Sequence, residues 1–255
     1  MQKAWVNGMT LAYNRRGRGE PLLLIHGFPL DHTIWEPLAV RLVDNFDVIM
    51  PDLRGFGLSD IPAGEYTIEQ MASDLAQLLD VLKIQNTYIA GHSMGGYVAL
   101  AFAHAYPDRV LGLGLLGSQA LPDSSERKAI RFAQVEQVAE NGVQVVAGMA
   151  DNLSASPQFA PIFRAIILQQ RPAGVIGALK ALAIRPDATQ FVALFNFPIV
   201  LVHGLADALI PPARASELKT LLPQAFLTEL QAVGHSPMLE APDQTALALL
   251  QLLAR

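Results

Sequence analysis

Gly91-His92-Ser93-Met94-Gly95 places a hydroxyl between two glycines. The apolar run Thr87-Tyr88-Ile89-Ala90 comes directly before it, and the small-residue stretch Gly96-Tyr97-Val98-Ala99-Leu100-Ala101-Phe102-Ala103 directly after. A strand that turns sharply into a helix at such a pattern is a nucleophile elbow, in which the serine takes a strained backbone conformation and its hydroxyl is pushed toward substrate. The glycines are expected where neighbouring backbone crowds the turn and a Cβ would clash. Five letters alone occur by chance in many chains; the strand before and the helix after give them weight. A serine that only capped a helix would need no partners elsewhere.

Partners are present. A serine hydroxyl is a poor nucleophile unless a base takes its proton, and the base needs a third group to hold its tautomer. After the apolar run Ile199-Val200-Leu201-Val202 comes His203-Gly204-Leu205-Ala206-Asp207, so Asp207 lies just beyond a strand's carboxyl end. After the expected strand Ala225–Leu230 comes Val233-Gly234-His235-Ser236-Pro237, which puts His235 in a loop before the last helix. The order Ser93…Asp207…His235 is shared by neither chymotrypsin nor subtilisin. Asp187 and Asp243 are weaker candidates for the acid, because one precedes its strand and the other follows the histidine. A developing oxyanion needs backbone N–H groups aimed at it. One is expected from Met94, next to the nucleophile, and a second from the loop His26-Gly27-Phe28-Pro29.

The other histidines receive quieter assignments. His26 is expected to brace the loop it begins, His92 to be structural, and His203 to be packed in the core. His32 and His104 are expected at the surface or in loops. No two histidines have metal-ligand spacing with a carboxylate nearby, so neither a metal nor a cofactor is expected.

The elements that must position these groups follow from hydrophobic patterning. Short strands are expected at Ala4–Val6 and Thr10–Tyr13. Leu22-Leu23-Leu24-Ile25, Val48-Ile49-Met50, Tyr88-Ile89-Ala90, Val110–Leu116 and Ile199–Val202 are continuous apolar runs of the kind buried on both faces of a sheet. Helical spacing separates them, as in Ile68–Leu82, where Met71, Leu75, Leu78, Leu79 and Leu82 recur, and a final helix is expected over Gln244–Leu253. Such alternation predicts an α/β fold with a mostly parallel sheet and helices on both faces. Residues 122–190 break the alternation. No strand run occurs there, and Asp123 with Glu126 three residues on signals a helix start. The expected organisation is a core of 1–121 and 191–255 with a helical cap, 122–190, inserted between two core strands. Phe132, Met149, Phe159, Phe163, Ile166 and Ile167 are candidate pocket-lining residues in that cap, each with core packing as the competing role.

Composition bounds the classes. Of 255 residues, 51% are hydrophobic and 16% charged, enough for a substantial core and unlike a disordered chain. The net charge of −5 and the lack of a basic tract argue against nucleic acid as partner. With no cysteine, disulfides, thiol catalysis and cysteine metal sites are excluded. No run approaches the ~18 apolar residues of a membrane helix, and a cytoplasmic location is the expectation.

The elbow, the Asp207 loop and the Gly234-His235-Ser236 loop, in this order and spacing, resemble the α/β-hydrolase superfamily over essentially the whole chain. The resemblance implies the α/β-hydrolase fold, with eight strands. It implies Ser93 as nucleophile, His235 as general base and then acid, Asp207 as the orienting acid, and Phe28 as the second oxyanion donor beside Met94. Asp52 and Arg54 lie in a loop that such proteins usually have, and there they brace the rim. A serine at the elbow, where epoxide hydrolases and haloalkane dehalogenases of this fold have an aspartate, implies acyl transfer. His26-Gly27-Phe28-Pro29-Leu30 with Trp35 resembles cofactor-free haloperoxidases; Ser93-Met94-Gly95-Gly96 with Glu126–Gly142 resembles enol-lactonases. The implied substrates are a small ester or lactone and water. Perhydrolysis and thioester or C–C bond hydrolysis stand as alternatives. A non-catalytic receptor is a remote one, since receptors of this fold resemble Gly-His-Ser-Val-Ser at the elbow. Oligomeric state is not legible.

Overall fold

The computed structural model describes residues 1–254. Eight strands form one sheet: β1 (Gln2–Val6), β2 (Met9–Gly17), β3 (Glu20–Ile25), β4 (Phe46–Pro51), β5 (Thr87–His92), β6 (Val110–Leu116), β7 (Ile199–Gly204) and β8 (Phe226–Leu230). Their order across the sheet is β1-β2-β4-β3-β5-β6-β7-β8. Only β2 runs against its neighbours; every pairing from β4 to β8 is parallel. The apolar runs explain this burial. Leu22, Leu23, Leu24 and Ile25 are fully enclosed, as are Val48, Ile49 and Met50. A strand apolar on both faces is stable only with helices over both.

The helices are α1 (Glu36–Leu42), α2 (Ile68–Val81), α3 (Met94–Ala105), α4 (Ser125–Asn141), α5 (Ala160–Leu168), α6 (Pro172–Ile184), α7 (Ala213–Leu221), α8 (Pro237–Glu240) and α9 (Pro242–Leu250). From β3 the chain passes through α1 to β4 on one side. It then returns through α2 to β5 on the other side of β3. Right-handed crossovers in opposite directions put α1 and α2 on opposite faces. Helix α1 packs with α8 and α9, and α2 packs with α3. This reversal is a topological switch point, where the loops leaving β3 and β5 diverge and open a crevice at the strands' carboxyl ends.

All expected strands are present, with ends shifted by a few residues. The expected helix over Ile68–Leu82 is α2, started by a reciprocal capping box between Thr67 and Gln70. The expected last helix begins two residues earlier than its pattern, at Pro242, and ends in a short 3-10 turn at Gln251–Leu253. Between β6 and β7 lie α4, α5, α6 and several 3-10 turns, with no strand among the described residues. The start of α4 differs from the expectation. Ser124, not Asp123, is the N-cap, accepting from the Arg127 N–H. Asp123 is drawn away because three arginines surround its carboxylate. No described helix is long and apolar enough to cross a membrane.

Candidate active site

The crevice at the switch point is where the sequence-predicted residues meet. Ser93 joins β5 to α3 at φ 51° and ψ −114°, a conformation unfavourable for a residue with a side chain. The surroundings hold it there: its N–H donates to Leu116 O at 2.9 Å, and its carbonyl accepts from Ser118 Oγ at 3.0 Å. The flanking glycines are required by contact. A Cβ on Gly91 would collide with the carbonyl oxygen of Gly95, and one on Gly95 with that of Ile25. Strand β3 and helix α3 therefore press the elbow from both sides.

Asp207 follows β7 and is buried. Its Oδ1 accepts the N–H groups of Leu209 at 2.8 Å and Ile210 at 2.9 Å, the local turn an aspartate makes readily. Its Oδ2 is left for His235 Nδ1, 2.8 Å away. Burial would raise this carboxyl. The charge and hydrogen bond of His235, with the two N–H groups, outweigh burial and hold it below the usual carboxylate range. Asp207 is thus ionised, and Nδ1 of His235 is the donor. Nε2 is the nitrogen left to act as a base. Asp187 instead caps a 3-10 turn, and Asp243 pairs with Arg41. Neither competes for His235.

Ser93, Met94, Phe28 and His235 line one pocket, about 410 Å³ including its solvent-facing mouth. Among the described residues no hydrogen bond joins Ser93 Oγ to His235. Such bonds are often long in the unliganded state and tighten around the reacting group. No backbone hydrogen bond takes the Phe28 or the Met94 N–H among the described turns and caps. Two free donors thus belong to residues of the pocket wall, as oxyanion binding requires.

Four of the five remaining histidines act as struts, while His104 is exposed on α3 and stacks on Phe191. His92 Nε2 donates to His235 O at 2.9 Å, so the ring steadies the loop that carries His235. Burial, with His235 adding to it, holds His92 well below the ordinary imidazole range, so it is neutral. His26 Nε2 accepts the Leu53 N–H at 2.9 Å and braces its loop as expected. His203 is buried and donates to Ile210 O at 2.9 Å. His32, expected at the surface or in a loop, lies half-buried at the start of a 3-10 turn between β3 and α1, and its Nδ1 lies 2.7 Å from Asp52 Oδ1. Asp52 also accepts the Leu58 N–H, while Arg54 grips Asp74 of α2 with two contacts of 2.6 Å. Asp52 and Arg54 brace the rim separately. Asp31, His32 and Asp52 bring three potential metal-ligand atoms within 4.8 Å of one another. Those atoms already serve the loop, through Thr33, Gln170 and the His32–Asp52 contact.

The helical segment contributes less than expected in one respect and more in another. Of the six candidate lining residues only Met149 reaches the pocket; Phe163 and Ile167 are fully enclosed, and Phe132 is exposed. Sequence reasoning missed Tyr97, Arg127, Arg131, Leu182, Leu209 and Ile210. The basic residues in the first turns of α4 were the one available signal.

The fold and the site define a class: an α/β protein with a serine on a strained strand-to-helix turn and an Asp–His pair converging on it from later strands. The chain belongs to the alpha/beta hydrolase fold family, whose model matches residues 20–242. It is 31% identical over 248 residues to Lipase 3 of Moraxella sp. (strain TA144), covering 93% of this chain and 78% of that one. Among solved structures it is similar to a thermophilic esterase from Thermogutta terrifontis, solved with malate bound, at TM-score 0.95 and 36% identity over 100% and 98% of the two chains. It is also similar to the enol-lactonase from Burkholderia xenovorans LB400, at TM-score 0.92 and 25% identity over the whole of both chains. These relatives support a hydrolase.

Proposed function

We propose that this chain is a serine hydrolase that cleaves small carboxylic esters or lactones through an acyl-enzyme on Ser93. One arrangement carries the reading: the 2.8 Å Asp207–His235 hydrogen bond opens onto the pocket that Ser93 lines. His235 Nε2 takes the hydroxyl proton as Ser93 Oγ attacks the carbonyl carbon. The oxyanion receives the N–H groups of Phe28 and Met94. The ring then returns the proton to the leaving alcohol, which remains tethered to the acyl group when the substrate is a lactone. Water repeats the sequence in the second half, with His235 again as base, and the acid departs from Ser93. Asp207 stays ionised throughout and supports the imidazolium. In this reading residues 122–190 form a cap over a core of 1–121 and 191–255, and the limited pocket volume favours short acyl groups. The names of the lipase, esterase and enol-lactonase relatives agree with ester chemistry.

A fluorophosphonate probe tests it. Intact-mass and peptide mapping should find one adduct, on Ser93, and none in Ser93→Ala. That variant should melt like the native protein and lose about 10⁴ or more in kcat on a short p-nitrophenyl ester. An adduct on another residue would overturn the assignment.

A further inference from the structure

The pocket above Ser93 carries an unbalanced charge. Its charged lining residues, apart from the imidazole of His235, are Arg127 and Arg131 from the first turns of α4, and no carboxylate lines it among the described residues. Behind them sits Asp123, buried, the only carboxylate these guanidiniums meet among the described residues. Arg185 already neutralises Asp123. It is buried, its Nη1 lies 2.8 Å from Asp123 Oδ1, and its remaining contacts are the carbonyls of Leu182 and Leu121 and the face of Tyr97. Arg131 adds a second guanidinium through Nε, and no hydrogen bond among the described residues takes its two terminal nitrogens. Arg127 adds a third, 3.8 Å from the same carboxylate and half exposed. Three cations against one anion leave two positive charges in excess, and the carboxylate of Asp207 below is already spent on His235 and two backbone N–H groups.

Fastening α4 does not require this excess. Cations near a helix N-terminus oppose the helix dipole, and Arg127 and Arg131 lie in the first two turns. Placing two there, beside a pocket and with free donors, serves an anion that arrives from outside. Arginine suits a carboxylate, because its planar fork of N–H groups matches the two oxygens.

We propose that the site takes esters or lactones bearing a second, ionised carboxylate, which Arg127 and Arg131 receive while the reacting carbonyl lies at Ser93. This rests on the ester-hydrolase reading and narrows its substrate class.

Two matched pairs decide it, each a carboxylate beside its neutral amide twin. Monomethyl adipate against methyl adipamate puts the charge on the acyl side. The acetate ester of γ-hydroxybutyrate against that of γ-hydroxybutyramide puts it on the alcohol side. Hydrolysis followed by pH-stat at neutral pH and low salt gives kcat/KM for each. The native protein should favour the carboxylate of at least one pair by about tenfold, the worth of one charged hydrogen bond. Added salt should shrink that ratio. Arg127→Gln and Arg131→Gln should each lower it about threefold or more, and the double variant should bring it near one. Arg127 is half exposed, so its variant and the salt series still decide the matter if Arg131→Gln does not fold. A native ratio near or below one for both pairs, with the neutral twins hydrolysed, overturns this proposal and leaves ester hydrolysis standing. A preference that survives both substitutions overturns it as well. No turnover of any of the four compounds, with a short p-nitrophenyl ester still hydrolysed, overturns this proposal alone; if that ester is inert too, the ester-hydrolase reading falls with it.

Discussion

The floor of the pocket and its roof are built on different principles. The floor comes from loops at the ends of β3, β5, β7 and β8, and its residues are pinned by backbone. Ser93 is held through its own N–H and carbonyl, Asp207 by two N–H groups, and the carbonyl of His235 by His92. The roof comes from the helical segment between β6 and β7, which lends the pocket Arg127, Arg131, Met149 and Leu182. Long side chains can move without unmaking a strand; pinned loops cannot. On the proposed function, the contrast teaches that reaction type resides in the part that cannot drift, and substrate choice in the part that can.

Breaking the floor should therefore cost orders of magnitude. Asp207→Asn keeps the shape of the turn but holds His235 in the wrong tautomer, and kcat should fall by roughly 10³ to 10⁴ with little change in melting temperature. A variant that keeps a tenth of the native rate would show that the orienting acid lies elsewhere and that the floor is less rigidly specified than its hydrogen bonds imply.

The floor should also reveal itself through acid. His92 and His26 are held neutral by burial, below the imidazole's ordinary value of 6.5. The unfolded chain binds their protons first. Stability is therefore full above about pH 6.5 and is lost as pH falls below it, by up to about 1.4 kcal/mol per pH unit per histidine. His32, raised because Asp52 outweighs its burial, adds stability as pH falls toward 6.5 and is fully protonated in both states below it, so it leaves the acid-side slope unchanged. The melting temperature should drop by about 5 °C or more between pH 7 and pH 5. The slope should flatten in His92→Asn. Equal slopes in the two proteins would mean that this strut titrates as it does in the open chain.

The smallest effect is expected from the roof. Met149→Ala removes a flexible wall, and kcat/KM across esters of graded acyl length should move only about threefold to tenfold, toward longer chains. If it instead abolished activity on every ester, the roof would tolerate change no better than the floor and the contrast would fail.

The same division explains what is legible in the sequence. The inner strands β3 to β7 are legible because burial on both faces demands unbroken apolar runs such as Leu22–Ile25. The floor is legible because each of its parts leaves a local mark: glycines where β3 and α3 crowd the elbow, an aspartate that folds its own turn, a Gly-His pair in a loop. Asp123 has the local pattern of a cap because that pattern counts residues along the chain, while Arg185, just beyond the end of α6, is a partner chosen by tertiary packing. The partner of His32 is hidden from the local pattern for the same reason, Asp52 being 20 residues away. Roof membership leaves no local mark. Phe163 and Met149 look alike in sequence, yet one is sealed inside and the other faces the pocket.

The two guanidiniums over Ser93 bear on turnover as well as on choice of substrate. If Ser93 hydrolyses esters as proposed, each cycle leaves an acid at the elbow and so one new negative charge in the pocket that Arg127 and Arg131 line. On the proposed reading the pocket should hold the acid more firmly than the ester, and departure of the acid, rather than bond cleavage, should become the slow event. Progress curves should bend early and straighten when the experiment is repeated in high salt; curves that stay linear in the presence of added carboxylate product would show that the acid leaves unhindered.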